Sequence, residues 1–194
     1  MRLYRVFYYV AGAAEREPGG VFFIPRQGRG RIDNPASYET LYVGDSRAGV
    51  CAEAFNRGKY RRQWSADMLR GLPILPGSVR AMAWYEFEDK KTQICNLDDP
   101  RELLARKLRP SLVATRDYSV SQTWALALFK QRRWSGARWW SYHDARWASF
   151  GLWKHRAIAH GVEQLTIDNA DLRLAADVLK IRVVGTHRAV AINR

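Results

Sequence analysis

Short apolar runs, each bounded by glycine, proline or charged residues, recur along the chain and predict β-strands. The runs that are rich in aromatic and β-branched residues predict strands at 3–10, 41–43, 79–87, 134–142, 147–153, 162–167 and 181–184. Residues 92–97 follow the strand at 79–87 after a charged turn, so we expect them to form its hairpin partner.

Other segments carry apolar residues at a spacing of three to four and begin beside a residue that caps helices. They predict helices at 46–55, 60–70, 100–109, 120–128 and 169–179. The predicted N-caps are Asp45 or Ser46 for the first helix, Asp99 for the third, Ser119 or Ser121 for the fourth and Asp168 for the last. Because strands and helices follow one another without regular alternation, we predict an α+β fold: a single domain over residues 1–194, with a mixed central sheet and flanking helices.

Cysteine content and the length of the apolar runs indicate where the protein works. Cys51 and Cys95 are the only cysteines, which excludes a disulfide framework and favours a reducing compartment. No run reaches the ~18–20 apolar residues of a membrane span. The N-terminus has some likeness to a signal peptide, but Arg5 interrupts its apolar run, so we predict a strand there. We therefore expect a cytoplasmic protein that does not enter the membrane.

The charge balance indicates an anionic partner. The chain has 32 Lys and Arg against 19 Asp and Glu, a formal net charge of +13. Such an excess is typical of proteins that bind nucleic acid or another polyanion. The basic clusters are short, however, and none is the long run of like charges that forms a basic tail. Nucleic acid, a phosphate-bearing small molecule and an acidic protein all remain compatible with the charge.

The common catalytic templates do not match the sequence. The four histidines show no metal-ligand spacing, so we predict no metal site and interpret them as loop or surface residues: His143, His155, His160 and His187. No phosphate-binding loop is present, and Gly28 and Gly30 lack the third glycine of a dinucleotide-binding loop. Cys51 has no evident histidine partner, so we interpret it as a core residue rather than a nucleophile.

Four polar residues in otherwise apolar or glycine-rich surroundings form the remaining candidate site. Arg31 lies in a glycine-rich loop and Tyr42 in the short strand that follows it. Glu53 lies among small and apolar residues of the next helix, and Ser141 follows two tryptophans far downstream. A carboxylate that loses contact with water is costly unless it has a partner or a chemical role. The spacing of these residues alone does not define a reaction.

Five stretches carry a resemblance to a known family: LYRV, GRGRIDNP, LYVGDSRAGVCAEAF, SQTWALAL and GARWWSYHDARWASFGLW. They resemble the RES-domain family, the toxin half of many bacterial RES–Xre toxin–antitoxin pairs, which is named for Arg, Glu and Ser residues. The resemblance extends over about residues 3–183, nearly the whole chain, and its third stretch is the most specific. The chain has one residue more than the family pattern between Arg31 and Asn34, and we take Arg31 rather than Arg29 as the family arginine.

The resemblance implies a fold similar to that of ADP-ribosyltransferases, and an enzyme that consumes NAD as a substrate and needs no cofactor. It implies that Glu53 stabilises the positive charge that develops on the ribose, in the way that carboxylates act in glycoside hydrolysis. Arg31 would bind the diphosphate, with Arg5 as a second candidate. Tyr42 would stack on nicotinamide, and Ser141 would form a hydrogen bond with the ligand.

Three functions are compatible with the sequence. The first is a NAD-consuming toxin that cleaves the nicotinamide–ribose bond by hydrolysis or phosphorolysis. The second is a protein mono-ADP-ribosyltransferase that uses the same residues, because the acceptor is selected by surface loops. The third is a non-catalytic basic module that binds nucleic acid, which requires arginines and exposed aromatic residues on one face. For either enzyme, we expect an Xre-type antitoxin as the protein partner.

Overall fold

A mixed β-sheet organises the computed structural model, which describes residues 1–88 and 90–184. In chain order, the strands are β1 (Arg2–Tyr9), β2 (Leu41–Gly44), β3 (Gln63–Ser65), β4 (Val79–Phe87), β5 (Ile94–Asn96), β6 (Gly136–Trp140), β7 (Ala148–Leu152), β8 (Ala157–Gln164) and β9 (Arg182–Val184). Seven of them form one sheet in the order β5-β6-β7-β2-β1-β4-β8, and β3 pairs in parallel with β9. The helices are α1 (Arg47–Phe55), α2 (Pro100–Ala105), α3 (Pro110–Val113), α4 (Tyr118–Lys130) and α5 (Ala170–Val178). The predicted α+β class with a mixed sheet and flanking helices is confirmed.

The large sheet opens near its centre. β1 pairs with β4 along its whole length, but it pairs with β2 only where Tyr4 lies opposite Gly44. Beyond that pair the two strands separate. One half of the sheet consists of β1, β4 and β8, and the other of β2, β7, β6 and β5. We call the opening between the two halves the seam.

Helix α1 covers one face of the sheet beside the seam. It begins at Arg47 and is capped by Ser46, one of the two predicted caps, whose Oγ accepts a hydrogen bond from the Gly49 N–H at 3.1 Å. Its buried side, which includes Cys51 and Phe55, packs with α5 and β1 in an apolar cluster. Glu53 lies on the other side of the same helix, so burial of the small apolar residues directs it away from the core.

Residues 60–70 do not form the predicted helix. Two short 3₁₀ helices, Gly58–Arg61 and Ala66–Leu69, flank β3 instead. Trp64 in β3 is fully buried among residues of α1 and α5. The strand pairs with β9, which is more than 100 residues later in the sequence. The local spacing of apolar residues does not indicate such a distant partner.

The predicted hairpin of residues 79–87 with 92–97 is also wrong. β5 pairs in parallel with β6. β4 already has β1 on one edge and β8 on the other, so neither edge is free for a hairpin partner. Cys95 and Leu97 are fully buried in the apolar cluster beneath α4, which explains why this segment lies at the opposite edge of the sheet.

The helix predicted for residues 100–109 ends at Ala105. Lys107 has a φ of 55°, in the left-handed region where a helix cannot continue. Asp99 caps α2 as predicted, because its side chain accepts from the Arg101 N–H at 2.9 Å. Pro110 begins α3, a short helix that the sequence analysis did not predict.

Two helix caps differ from the prediction. Asp117, rather than Ser119 or Ser121, caps α4 by accepting from the Ser119 N–H. Asn169, rather than Asp168, caps α5. Asp117 lies two residues before Ser119, and Asn169 directly follows Asp168. Both have the side-chain acceptor that caps a helix, so the helix faces are unchanged. Within the described part of the chain, no helix is long and apolar enough to cross a membrane.

Candidate functional site

The seam contains a cleft with a volume of about 1130 Å³. Both halves of the sheet contribute to its walls, β1 on one side and β2, β6 and β7 on the other, together with α1 and the loops around residues 29–31 and 114–118. All five residues singled out from the sequence line this cleft: Arg5, Arg31, Tyr42, Glu53 and Ser141. The fold therefore brings together residues that are far apart in the chain.

The carboxylate of Glu53 is oriented by a serine from the facing strand. Ser141 follows β6 and is buried, and its Oγ donates a hydrogen bond to Glu53 Oε1 at 2.7 Å. The same Oγ accepts from the His143 N–H at 3.1 Å, which fixes the serine in turn. The side chain of Glu53 is 43% exposed, so the carboxylate is accessible from the cleft rather than withdrawn from water.

The glycine-rich loop is held by a buried carboxylate that sequence reasoning did not single out. Asp33 is 5% exposed, and its Oδ2 accepts from the N–H groups of Gly28 (2.8 Å) and Gly30 (2.6 Å). Its Oδ1 accepts from the Tyr42 hydroxyl at 2.6 Å, and that hydroxyl accepts from the Ile32 N–H at 3.0 Å. A Cβ on Gly30 would lie 2.5 Å from the Tyr42 oxygen, so this position requires glycine. The loop is thus fixed from both ends.

Tyr42 is held in one protonation state by these contacts. Burial, with the hydrogen bond to Asp33 as the next cause, raises the pKa of Tyr42 above its ordinary value. The hydroxyl therefore stays protonated and continues to donate to the carboxylate. Tyr42 also lines the cleft, and the stacking role expected from the resemblance stays a prediction beside the anchoring role of its hydroxyl.

Arg31 connects the glycine-rich loop to the segment between α3 and α4. Its Nη1 donates to the backbone oxygens of Val113 (2.8 Å) and Thr115 (2.7 Å), and its guanidinium lies 5.2 Å from the centre of the Tyr118 ring. Its own backbone oxygen accepts from Ser121 Oγ at 2.6 Å. These contacts use one nitrogen of the guanidinium, and Nε and Nη2 have no partner among the described residues. Arg31 can therefore bind an anion without leaving its place.

The cleft is strongly positive. Among the residues that line it, Glu53 is the single carboxylate, and six arginines are present: Arg5, Arg29, Arg31, Arg57, Arg61 and Arg116. Arg5 is held by a hydrogen bond from Nη1 to the Phe23 backbone oxygen at 2.9 Å. Arg29 is exposed and makes no polar contact within the described residues. Such a wall favours an anionic ligand.

We expect Asp33→Asn to lower the free energy of unfolding by about 1–3 kcal/mol, because the amide leaves at least one donor of the loop without its acceptor. Thermal and urea unfolding measure the change. Asp177→Asn is a matched control, since Asp177 is exposed on α5 and makes no side-chain hydrogen bond in the described structure. Equal stability of the two variants would contradict the anchoring role of Asp33.

Both cysteines lack the character of a nucleophile. Burial raises the pKa of Cys51 to about 12 and that of Cys95 to about 11, so neither forms an appreciable thiolate near neutral pH. We expect no reaction of the folded protein with an aromatic disulfide reagent at pH 8, and release of two equivalents after unfolding in guanidinium. A thiol of the folded protein that reacts within minutes would contradict the interpretation of Cys51 as a core residue.

The histidines fall into different surroundings. His143 lies in the cleft beside Glu53 and is the site residue that sequence reasoning missed as a functional candidate. Its nearness to Ser141 in the sequence was the available signal. His155 and His160 contact Phe22 outside the cleft, and His187 lies outside the described residues. Within the described ranges, no group of three or more His, Cys, Asp or Glu side chains is placed to hold a metal ion.

Comparisons with known proteins concern the family and the fold of the chain. The comparison with curated proteins gives no match. Among solved structures, the chain is similar to one from the "Crystal structure of the M. tuberculosis MbcT–MbcA toxin–antitoxin complex", with a TM-score of 0.51 and 14% sequence identity over 92% of this chain and 88% of that chain. At that identity the likeness concerns the fold. The RES domain matches residues 2–177, which include every candidate site residue, and the chain therefore belongs to the RES-domain family.

Proposed function

We propose that this protein is a NAD-consuming toxin of a toxin–antitoxin pair that cleaves the bond between nicotinamide and ribose. The observation that carries the proposal is the half-exposed Glu53 carboxylate, oriented by Ser141 at 2.7 Å within a cleft that is otherwise lined by arginines. NAD has the matching distribution of charge: an anionic diphosphate at its centre and a ribose that becomes cationic when nicotinamide leaves. Membership of the RES-domain family supports the same assignment.

The reaction proceeds by loss of a neutral leaving group. The bond from C1′ of the ribose to the ring nitrogen breaks, and nicotinamide departs with the electron pair, so no acid is needed. The ribose acquires oxocarbenium character, which the negative charge of Glu53 stabilises in the transition state. An acceptor oxygen then bonds to C1′, and its proton passes to Glu53 or to solvent. Ser141 holds the carboxylate in position throughout.

The arginines account for substrate binding. Arg31 presents the two unused nitrogens of its guanidinium, Nε and Nη2, a planar pair that suits phosphate oxygens. Arg5 lies on the facing half of the sheet and is the second candidate for the diphosphate. The cleft volume of about 1130 Å³ slightly exceeds the ~300–1,000 Å³ of typical small-molecule pockets, which is consistent with a dinucleotide.

The decisive experiment follows nicotinamide release from NAD by the purified protein. Three parallel reactions identify the acceptor: phosphate-free buffer, buffer with phosphate, and labelled NAD with a cell extract. Hydrolysis yields ADP-ribose, phosphorolysis yields ADP-ribose phosphorylated at the same ribose carbon, and protein modification leaves the label on protein. We expect nicotinamide release with many turnovers in at least one reaction. The absence of nicotinamide in all three would overturn the proposed function.

We also propose an acidic, Xre-type antitoxin as the partner, and expect it to copurify with the chain when the neighbouring open reading frames are expressed together. The net charge of +13 and the arginine-lined cleft favour an acidic segment by charge complementarity. The similar fold occurs in a toxin–antitoxin complex. Co-expression should also relieve growth inhibition by the chain alone. If no neighbour copurifies and growth is not restored, the partner proposal fails.

A further inference from the structure

The imidazole of His143 occupies a defined position that the reaction above does not use. Its side chain is 12% exposed, and it packs edge-on against the Tyr142 ring at 5.8 Å between centroids. One nitrogen, Nδ1, lies 3.3 Å from Asn56 Nδ2, and the other, Nε2, lies 3.8 Å from Glu53 Oε2. The ring is therefore placed between a neutral amide and the carboxylate at the centre of the site.

The contact with Asn56 determines which nitrogen of the ring carries the proton. In the orientation that the Asn56 amide adopts, its Nδ2 faces the ring, and because an amide nitrogen can only donate, Nδ1 of His143 accepts. In the neutral ring the proton then resides on Nε2, the atom that faces Glu53 Oε2. The separation of 3.8 Å is longer than a hydrogen bond, and catalytic contacts of this kind commonly shorten when substrate binds.

The two oxygens of Glu53 thus face two different donors. Ser141 Oγ donates to Oε1, and Nε2 of His143 lies 3.8 Å from Oε2. With Ser141 alone, the carboxylate could turn about its bond to Ser141 and move Oε2 relative to the ribose. A second donor on the other oxygen removes that freedom, and preorganised charge is what stabilises a developing cation.

We propose that His143 is a positioning residue that holds the second carboxylate oxygen of Glu53 in its reactive orientation. The inference rests on the proposed function, since it assigns His143 a role towards the same carboxylate. His143 touches neither substrate nor reacting atoms, and it acts through Glu53. Holding the carboxylate requires the N–H donor at His143 Nε2, whereas it does not require the positive charge of a protonated ring.

Kinetics separate this role from a merely structural one. We expect His143→Ala to lower kcat for nicotinamide release by about 10- to 100-fold with little change in KM, because misplacement of a reacting group affects the transition state. His143→Gln restores much of kcat, since its amide N–H can replace Nε2–H. His160→Ala is the matched control, a histidine whose Nε2 faces Glu15 at 3.4 Å outside the cleft, and it should retain wild-type kcat. A folded His143→Ala protein with wild-type kcat would overturn the inference.

A second measurement does not depend on activity. Long-range ¹⁵N–¹H correlation spectra of the imidazole distinguish the two neutral tautomers, and we expect the Nε2-protonated form for His143, with an Nε2 shift that changes in Glu53→Gln. A proton on Nδ1 would overturn the inference whatever the enzyme does. If the wild type releases no nicotinamide, the proposed function fails, and the spectra still decide whether His143 donates to Glu53.

Discussion

Replacing Glu53 with glutamine should lower kcat for nicotinamide release by about 10²–10³-fold or more, while KM for NAD stays near the wild-type value. The charge of the carboxylate matters chiefly when positive charge develops on the ribose, so its loss acts on the transition state and not on binding. Glutamine keeps the shape of the side chain and an oxygen that can accept from Ser141, so the local structure should survive. Steady-state kinetics with a thermal melt of the same preparation test both statements.

Glu39→Gln is the matched control for this substitution. Glu39 is exposed, lies outside the cleft and makes no side-chain hydrogen bond within the described residues. The Glu39→Gln substitution therefore removes the same charge without altering the site. The control should retain wild-type kcat and KM. Near wild-type turnover by a folded Glu53→Gln protein would exclude Glu53 as the group that stabilises the ribose cation.

Replacing Arg31 with alanine should lower kcat/KM by roughly 10- to 100-fold, chiefly through a higher KM. A hydrogen bond to a charged group contributes about 1.5–3 kcal/mol, and Arg31 is expected to hold the diphosphate in the ground state and in the transition state alike. The variant also loses the bonds to the Val113 and Thr115 carbonyls, so a lower melting temperature should accompany the kinetic change. Kinetics and calorimetry on one sample measure the two effects.

Arg29→Ala distinguishes the two arginines of the glycine-rich loop. Arg29 lines the same cleft but is exposed and holds no backbone carbonyl, so its removal should leave the melting temperature unchanged and have a smaller effect on KM. The reverse order of effects on KM would identify Arg29, and not Arg31, as the phosphate ligand. Equal effects of both variants would mean that the cleft binds the diphosphate by its general charge alone.

The strands and helices that depend on local pattern were predictable, and those that depend on distant partners were not. The strand at 79–87 has the predicted bounds because its run of apolar and aromatic residues is long and clearly bounded. The short strand around Trp64 was not predicted, because one buried tryptophan between two polar residues does not produce the apolar spacing that indicates a strand. The segment 94–96 was assigned the wrong partner because a charged turn resembles a hairpin, and nothing local reveals that β4 has both edges occupied.

For the candidate site, sequence reasoning identified residues better than it described their contacts. The glutamate and the serine were selected separately, and the fold places them 2.7 Å apart. The hydroxyl of Tyr42 could not be assigned to Asp33 from the sequence, because the bond depends on how the loop folds back over β2. His143 was passed over since no metal or catalytic template includes it. Its place beside Glu53 follows from the turn after β6, which local pattern does not specify.

The buried Asp33 has a consequence for the thermodynamics of ligand recognition. Fixing the backbone of a flexible loop costs on the order of 1–2 kcal/mol per residue in conformational entropy. Asp33 orders the loop by accepting hydrogen bonds from Gly28 and Gly30 within the chain, so this entropy is lost during folding and not at the moment of binding. An anion therefore meets a preformed surface, and its affinity is not reduced by ordering of the loop. The entropic penalty appears instead as lower stability of the folded chain.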